Sequence, residues 1–136
     1  MSAPEFSKTP RAGDWSTRFA TWPGLTSLAL GLVLGPIVAL VNQQAIYAAN
    51  MWVCGHGLRG SLHLIPALGI LVVAGMAYES HRSWMAVGGG AADQDDSVAT
   101  RTRFLAMLGM AISAFSALVI FAQWLGIFMF DPCVKV

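Results

Sequence analysis

Two cysteines, two histidines and a set of side-chain amides are the residues in this sequence best suited to chemistry. Cys54 and Cys133 with His56 and His63 supply two thiols and two imidazoles, a donor set that can hold zinc or copper tetrahedrally once the thiols are deprotonated. Their Cys-x-His-x6-His spacing belongs to no dense metal motif, so no metal site is expected. Oxidised, the same two cysteines form a disulfide and surrender both thiolates, so the two readings exclude one another. Asn42, Gln43, Gln44 and Gln123 add amides that can hydrogen-bond a quinone headgroup or a haem propionate. The plainer alternative is that they bond to one another or to a partner subunit between membrane helices. His63 is a conceivable axial ligand for a b-type haem, although no second well-placed helix histidine accompanies it. Without a Cys-x-x-Cys-His motif, covalent haem attachment is excluded. No nucleophile and base are paired by the pattern. The Gly88-Gly89-Gly90 run lacks the Lys and Ser or Thr of a phosphate loop, and no enzyme is expected.

The elements that position these residues are apolar helices. Of 136 residues, 56% are hydrophobic and 11% charged, against about 25% charged in an ordinary soluble domain. The mean hydropathy is +0.62. Three apolar runs predict an all-α integral membrane protein with transmembrane helices at about 25–52, 62–78 and 104–130. Residues 1–23 read as a polar tail, 24–136 as a single three-helix domain, and 79–102, with three glycines and Asp93, Asp95 and Asp96, as an exposed loop. The first apolar run starts too late and lasts too long for a signal peptide, so it is expected to be retained. Three unrelated segments do not divide into the paired halves of most secondary transporters. A net charge of +1 gives no basic face for nucleic acid.

Lys8, Arg11, Arg18, Arg82, Arg101 and Arg103 fall on one side of such a topology, against Arg59 and Lys135 on the other. The positive-inside rule then makes the N-terminus and the 79–102 loop cytoplasmic and the C-terminus periplasmic. Cys54 and Cys133 both land on the periplasmic face, where disulfides persist, and a Cys54–Cys133 bond is expected in preference to two unpaired thiols. At about 1.5 Å per residue, Asn42 lies ~26 Å along the first helix and Gln123 ~28 Å along the third. Asn42, Gln43, Gln44, His56, His63 and Gln123 therefore gather toward the outer face. Gly31 and Gly35 form a small-xxx-small pair for close packing against a neighbour or the third helix, and Pro36 is expected to bend the first helix. Trp15 and Trp22 on the inner side, and Trp52 and Trp124 on the outer, suit interfacial anchoring.

The run GPIVALVNQQAIYAANMWVCGHG, followed by LHLIPAL and a closing FDPC, resembles small three-helix membrane proteins associated with bacterial haem-copper cytochrome oxidase systems. The matching positions are Gly35, Pro36, Asn42, Gln43, Trp52, Cys54, Leu62, His63, Pro132 and Cys133. The resemblance covers about three quarters of the chain, leaving out the first 23 residues and the glycine loop. It implies a bacterial inner-membrane protein tied to respiratory electron transfer. The expected function is an accessory or structural subunit of a membrane electron-transfer complex, foremost a respiratory haem-copper oxidase assembly. The alternatives are a copper- or haem-handling assembly factor, an accessory subunit of a photosynthetic complex, and a quinone-binding subunit. No cofactor of its own is expected, but lipid, quinone or haem can sit at a subunit interface. The expected partners are membrane lipids and other transmembrane subunits.

Overall fold

A computed structural model describes residues 22–91, 98–130 and 133. These form three helices: α1 (Trp22–His56), α2 (Leu64–Ala86) and α3 (Val98–Met129), with a 3-10 turn at Arg59–His63 leading into α2. No strand occurs among the described residues. All three helices are long and apolar enough to cross a membrane. The chain is a multi-pass membrane protein by that criterion, and its surface agrees: Met51 is 88% exposed and Phe130 74%, with many Leu, Ile and Phe side chains uncovered between them. Lipid accommodates such a surface, whereas water would drive it to aggregate.

Each helix outruns its apolar segment, and the expected boundaries need correction at both ends of α1, at the end of α2 and at the start of α3. The segment 79–102 is not one loop. Helix α2 continues through Glu79 to Ala86 and α3 begins at Val98, so residues 87–97 connect them. Charge ends an apolar run without ending a helix, because Glu79 and Arg82 carry the helical backbone about as well as leucine does. Glu79 and Arg82 face each other one turn apart at 3.6 Å. What stops α2 is the glycine run. Gly88 adopts φ +90°, and the Gly88 and Gly89 N–H groups donate to the Met85 and Trp84 carbonyls, both at 3.0 Å. This is a Schellman cap, which needs a left-handed residue that glycine supplies cheaply. Trp84 Nε1 closes it by donating to the Gly90 carbonyl at 3.0 Å. Arg103 of α3 clamps the same end, donating from Nε and a terminal nitrogen to the Val87 carbonyl at 3.2 and 3.0 Å.

Helix α1 likewise begins at Trp22 and runs four residues past the expected end, to His56. The tail expected at 1–23 lies outside the described residues except for its last two, which are helical. Asp93, Asp95 and Asp96 also lie outside them. His56 Nδ1 donates to the Trp52 carbonyl at 2.8 Å, satisfying an orphan acceptor of the last turn. Gly57, at φ +72°, then turns the chain away. His63 belongs to the 3-10 turn, one residue ahead of α2, and Pro66 sits in the first turn of α2, where its missing N–H costs nothing.

Packing is closest between α2 and α3, intermediate between α1 and α3, and least between α1 and α2. Small residues set the spacing. A methyl group at Gly109 of α3 would lie 2.9 Å from Ser80 Oγ of α2, and one at Gly31 of α1 3.3 Å from the same atom. Gly35 meets Ser116 of α3 in the same way, at 3.0 Å. Ala39, Val73 and Ile120 fill the axis beyond these contacts, one residue from each helix. The Gly31/Gly35 pair is thus used inside the molecule, one glycine toward α2 and the other toward α3.

Cys54 and Cys133 are joined by a disulfide with a Cα–Cα separation of 5.4 Å. It ties the end of α1 to the segment that follows α3. Across 79 residues of sequence the chain-entropy model gives a few kcal/mol, and since membrane insertion already restricts the unfolded chain, about 2 kcal/mol is expected. Alkylation should therefore modify no thiol before reduction and two after it, read by intact mass; two thiols labelled without reductant would refute the bond.

Candidate functional site: the polar layer at the disulfide end

The polar residues that the sequence gathers toward one face separate in the structure into three surroundings. The first is a sealed layer between the helices. Asn42 of α1 is 4% exposed, and its Nδ2 donates to Gln123 Oε1 of α3 at 2.8 Å. The third wall is Gly69 of α2, where a methyl would stand 3.0 Å from Asn42 Oδ1. One amide therefore touches both neighbouring helices, and Gly69 is glycine because nothing larger fits beside it. Asn42 Oδ1 has no hydrogen-bond partner among the described residues. The equal depth of Asn42 and Gln123 along α1 and α3 places them in register.

The second surrounding is aromatic and lies just beyond that layer. Trp124, adjacent to Gln123, donates from Nε1 to His63 Nδ1 at 2.9 Å. His63 also packs on Phe128, ring centroids 4.7 Å apart. A neutral imidazole that accepts at Nδ1 carries its proton on Nε2, the nitrogen that an iron or zinc ion would otherwise take. This geometry speaks for His63 as an interhelical bonding group and against it as an axial ligand. The pairing was hidden in the sequence because Trp124 reads equally well as an interfacial anchor.

The third comprises side chains that do not join the layer. His56 is exposed at the end of α1, stacked on Trp52 at 4.6 Å. It does not share the partners of His63. With both thiols in the disulfide, the Cys54, His56, His63 and Cys133 ligand set is not assembled. Gln43 and Gln44 are both exposed, because consecutive helical residues point about 100° apart and Asn42 has taken the inward direction. Gln43 lines a groove between α1 and α3 together with Tyr47, Asn50 and Gln123. Gln44 lies on the opposite flank of α1, where the described residues leave it uncovered.

Tyr47 and Asn50 did not stand out in the sequence, yet a signal existed. They follow Gln43 by four and seven residues, the spacing of a single helical face. Nearer the other end of the bundle, Ser113 is fully buried, and its hydroxyl has no partner among the described residues.

The Asn42–Gln123 bond should carry measurable stability. Asn42→Val and Gln123→Leu are each expected to destabilise by about 1–2 kcal/mol in a reversible unfolding titration, and together by about 1 kcal/mol less than the sum. Strict additivity would show that the two amides do not interact. Comparison of the chain with protein-family models, with curated proteins and with solved structures finds no match.

Proposed function

We propose that this protein is an accessory subunit, without catalytic activity of its own, of a membrane electron-transfer complex of the respiratory haem-copper oxidase type, in a bacterial inner membrane. The observation that carries the reading is the outward face of α1. Leu30, Val33, Ile37, Leu40, Gln44, Tyr47 and Met51 follow one another at alternating three- and four-residue steps, and every one is exposed. That is the spacing of a seam that packs against another helix. All but Gln44 and the Tyr47 hydroxyl would be content in lipid. An amide facing hydrocarbon is costly unless it is paired, and a partner helix that offers a hydrogen bond to Gln44 removes that cost and sets the register of docking.

The resemblance of the Gly35–Cys54 and Leu62–Leu68 segments to small oxidase-associated membrane proteins supports the choice of complex. The basic residues, six on the side of the N-terminus and the 87–97 connection against two on the other, support an N-terminus in the cytoplasm. A disulfide at the opposite end supports a periplasmic location for it. The same disulfide, together with the engaged Nδ1 of His63, weighs against a copper- or haem-handling assembly factor.

Affinity capture of the full chain from gently solubilised native membranes is the test. Haem-bearing subunits are expected in stoichiometric yield, reduced severalfold by Gln44→Leu and unaffected by Gln43→Leu. A chain recovered alone, or haem subunits recovered equally with both variants, would overturn the reading.

A further inference from the structure

The groove between α1 and α3 at the disulfide end has a chemistry that the helix-docking face does not share. Gln43, Tyr47 and Asn50 lie along one side of α1 at spacings of four and three residues, and Gln123, Gly126 and Phe130 face them from α3. The groove is open on one side, and its volume of about 300 Å³ is the small end of the range for ligand clefts and enough for one substituted ring. None of its lining residues is charged, so a neutral occupant is favoured. Hydrogen-bonding capacity is nevertheless high and in part unspent. Gln123 Oε1 is taken by Asn42, which leaves the Gln123 Nε2 as a donor. The Gln43 amide and the Tyr47 hydroxyl add two groups that both donate and accept. Asn50 Oδ1 has no partner among the described residues but is sealed from solvent, so Asn50 shapes the wall of the groove and the accessible acceptors are the Gln43 amide and the Tyr47 hydroxyl.

A suitable occupant therefore carries both a hydroxyl to donate and oxygens to accept. It also has a flat face for the rings of Tyr47 and Phe130. Asn50 is six residues from the end of α1 and Gln43 thirteen, about 9 and 20 Å along the helix. The groove thus opens sideways to lipid near the membrane surface, where the head of an amphiphile resides while its tail stays in the bilayer. A Cβ at Gly126 would meet nothing within 4 Å, so the mouth is open there.

We propose that this groove binds the headgroup of a membrane-dissolved hydroquinone, with the Gln123 Nε2 donating to one ring oxygen and the Gln43 amide oxygen accepting from a ring hydroxyl. The site goes beyond subunit docking and does not depend on Gln44, although Tyr47 borders both surfaces.

The test is equilibrium dialysis of a decyl-substituted dimethoxy-methyl hydroquinone, under argon, between phospholipid nanodiscs with and without the full disulfide-bonded chain. Decylbenzene serves as the tail-only control. Saturable retention of one hydroquinone per chain is expected, with no excess retention of decylbenzene. Gln43→Leu should weaken binding about fivefold, as the loss of one hydrogen bond does. Gly126→Leu, which places a bulky side chain at the mouth, should abolish it, and Gln44→Leu should leave it unchanged. Circular dichroism and intact mass confirm that each variant keeps its helices and its disulfide. Equal retention of decylbenzene would mean a site for lipid tails, and undiminished binding by both Gln43→Leu and Gly126→Leu would put the ligand elsewhere. Either result overturns the proposal.

Discussion

Inside a bilayer, apolar side chains gain little by leaving lipid for one another, so the force that folds a soluble bundle is largely absent. Three helices that come together there need close backbone approach, which multiplies dispersion contacts, and hydrogen bonds that would otherwise be missing. This chain meets that constraint along one axis. Ser80 stands between Gly31 and Gly109, Ser116 against Gly35, and Asn42 against Gly69. At each level a glycine on one helix receives a small polar side chain from another. The Asn42–Gln123 bond, the His63–Trp124 bond and the disulfide follow toward one end, and the Arg103 clamp on Val87 closes the other. Remove the glycines and the helices separate far enough to lose the hydrogen bonds as well.

The consequences for function begin with which surfaces this axis uses up. The Gly31/Gly35 pair, which in isolation suggests a docking face for another protein, is consumed internally. That leaves α1 with two other faces to offer. One is the Leu30-to-Met51 seam centred on Gln44, and the other, which meets it at Tyr47, is the Gln43–Asn50 side, which α3 half covers to make a groove. A single helix thus contributes Asn42 inward, Gln43 sideways and Gln44 outward. Three consecutive amides serve the fold, a ligand cleft and a partner surface in turn.

That division also explains how far the sequence could be read. Three apolar runs announce three spanning helices, and an even count of their ends places both cysteines together. Depth counting along helices of known rise brings Asn42 level with Gln123. What hydropathy does not encode is where a helix stops, since Glu79 and Arg82 end an apolar run but leave the backbone helical as far as the glycines at 88 and 89. Direction around the axis is equally hidden. Grouping residues 42–44 with His56 and His63 as one polar cluster treats the helix as a line, whereas its 100° step sends neighbours to different surroundings. Trp124 escaped notice as a partner for His63 because a tryptophan at that depth is already explained by the membrane interface.

The interhelical register is the central claim, and disulfide trapping tests it most directly. Cysteines introduced in pairs at Gly31 and Ser80, and at Ser80 and Gly109, should cross-link spontaneously in membranes, while shifting the first of them to Leu32, 100° around α1, should lower the yield several-fold. Failure of both pairs to cross-link, or equal yields with the Leu32 position, would mean that the helices do not meet at their glycines and would contradict the account.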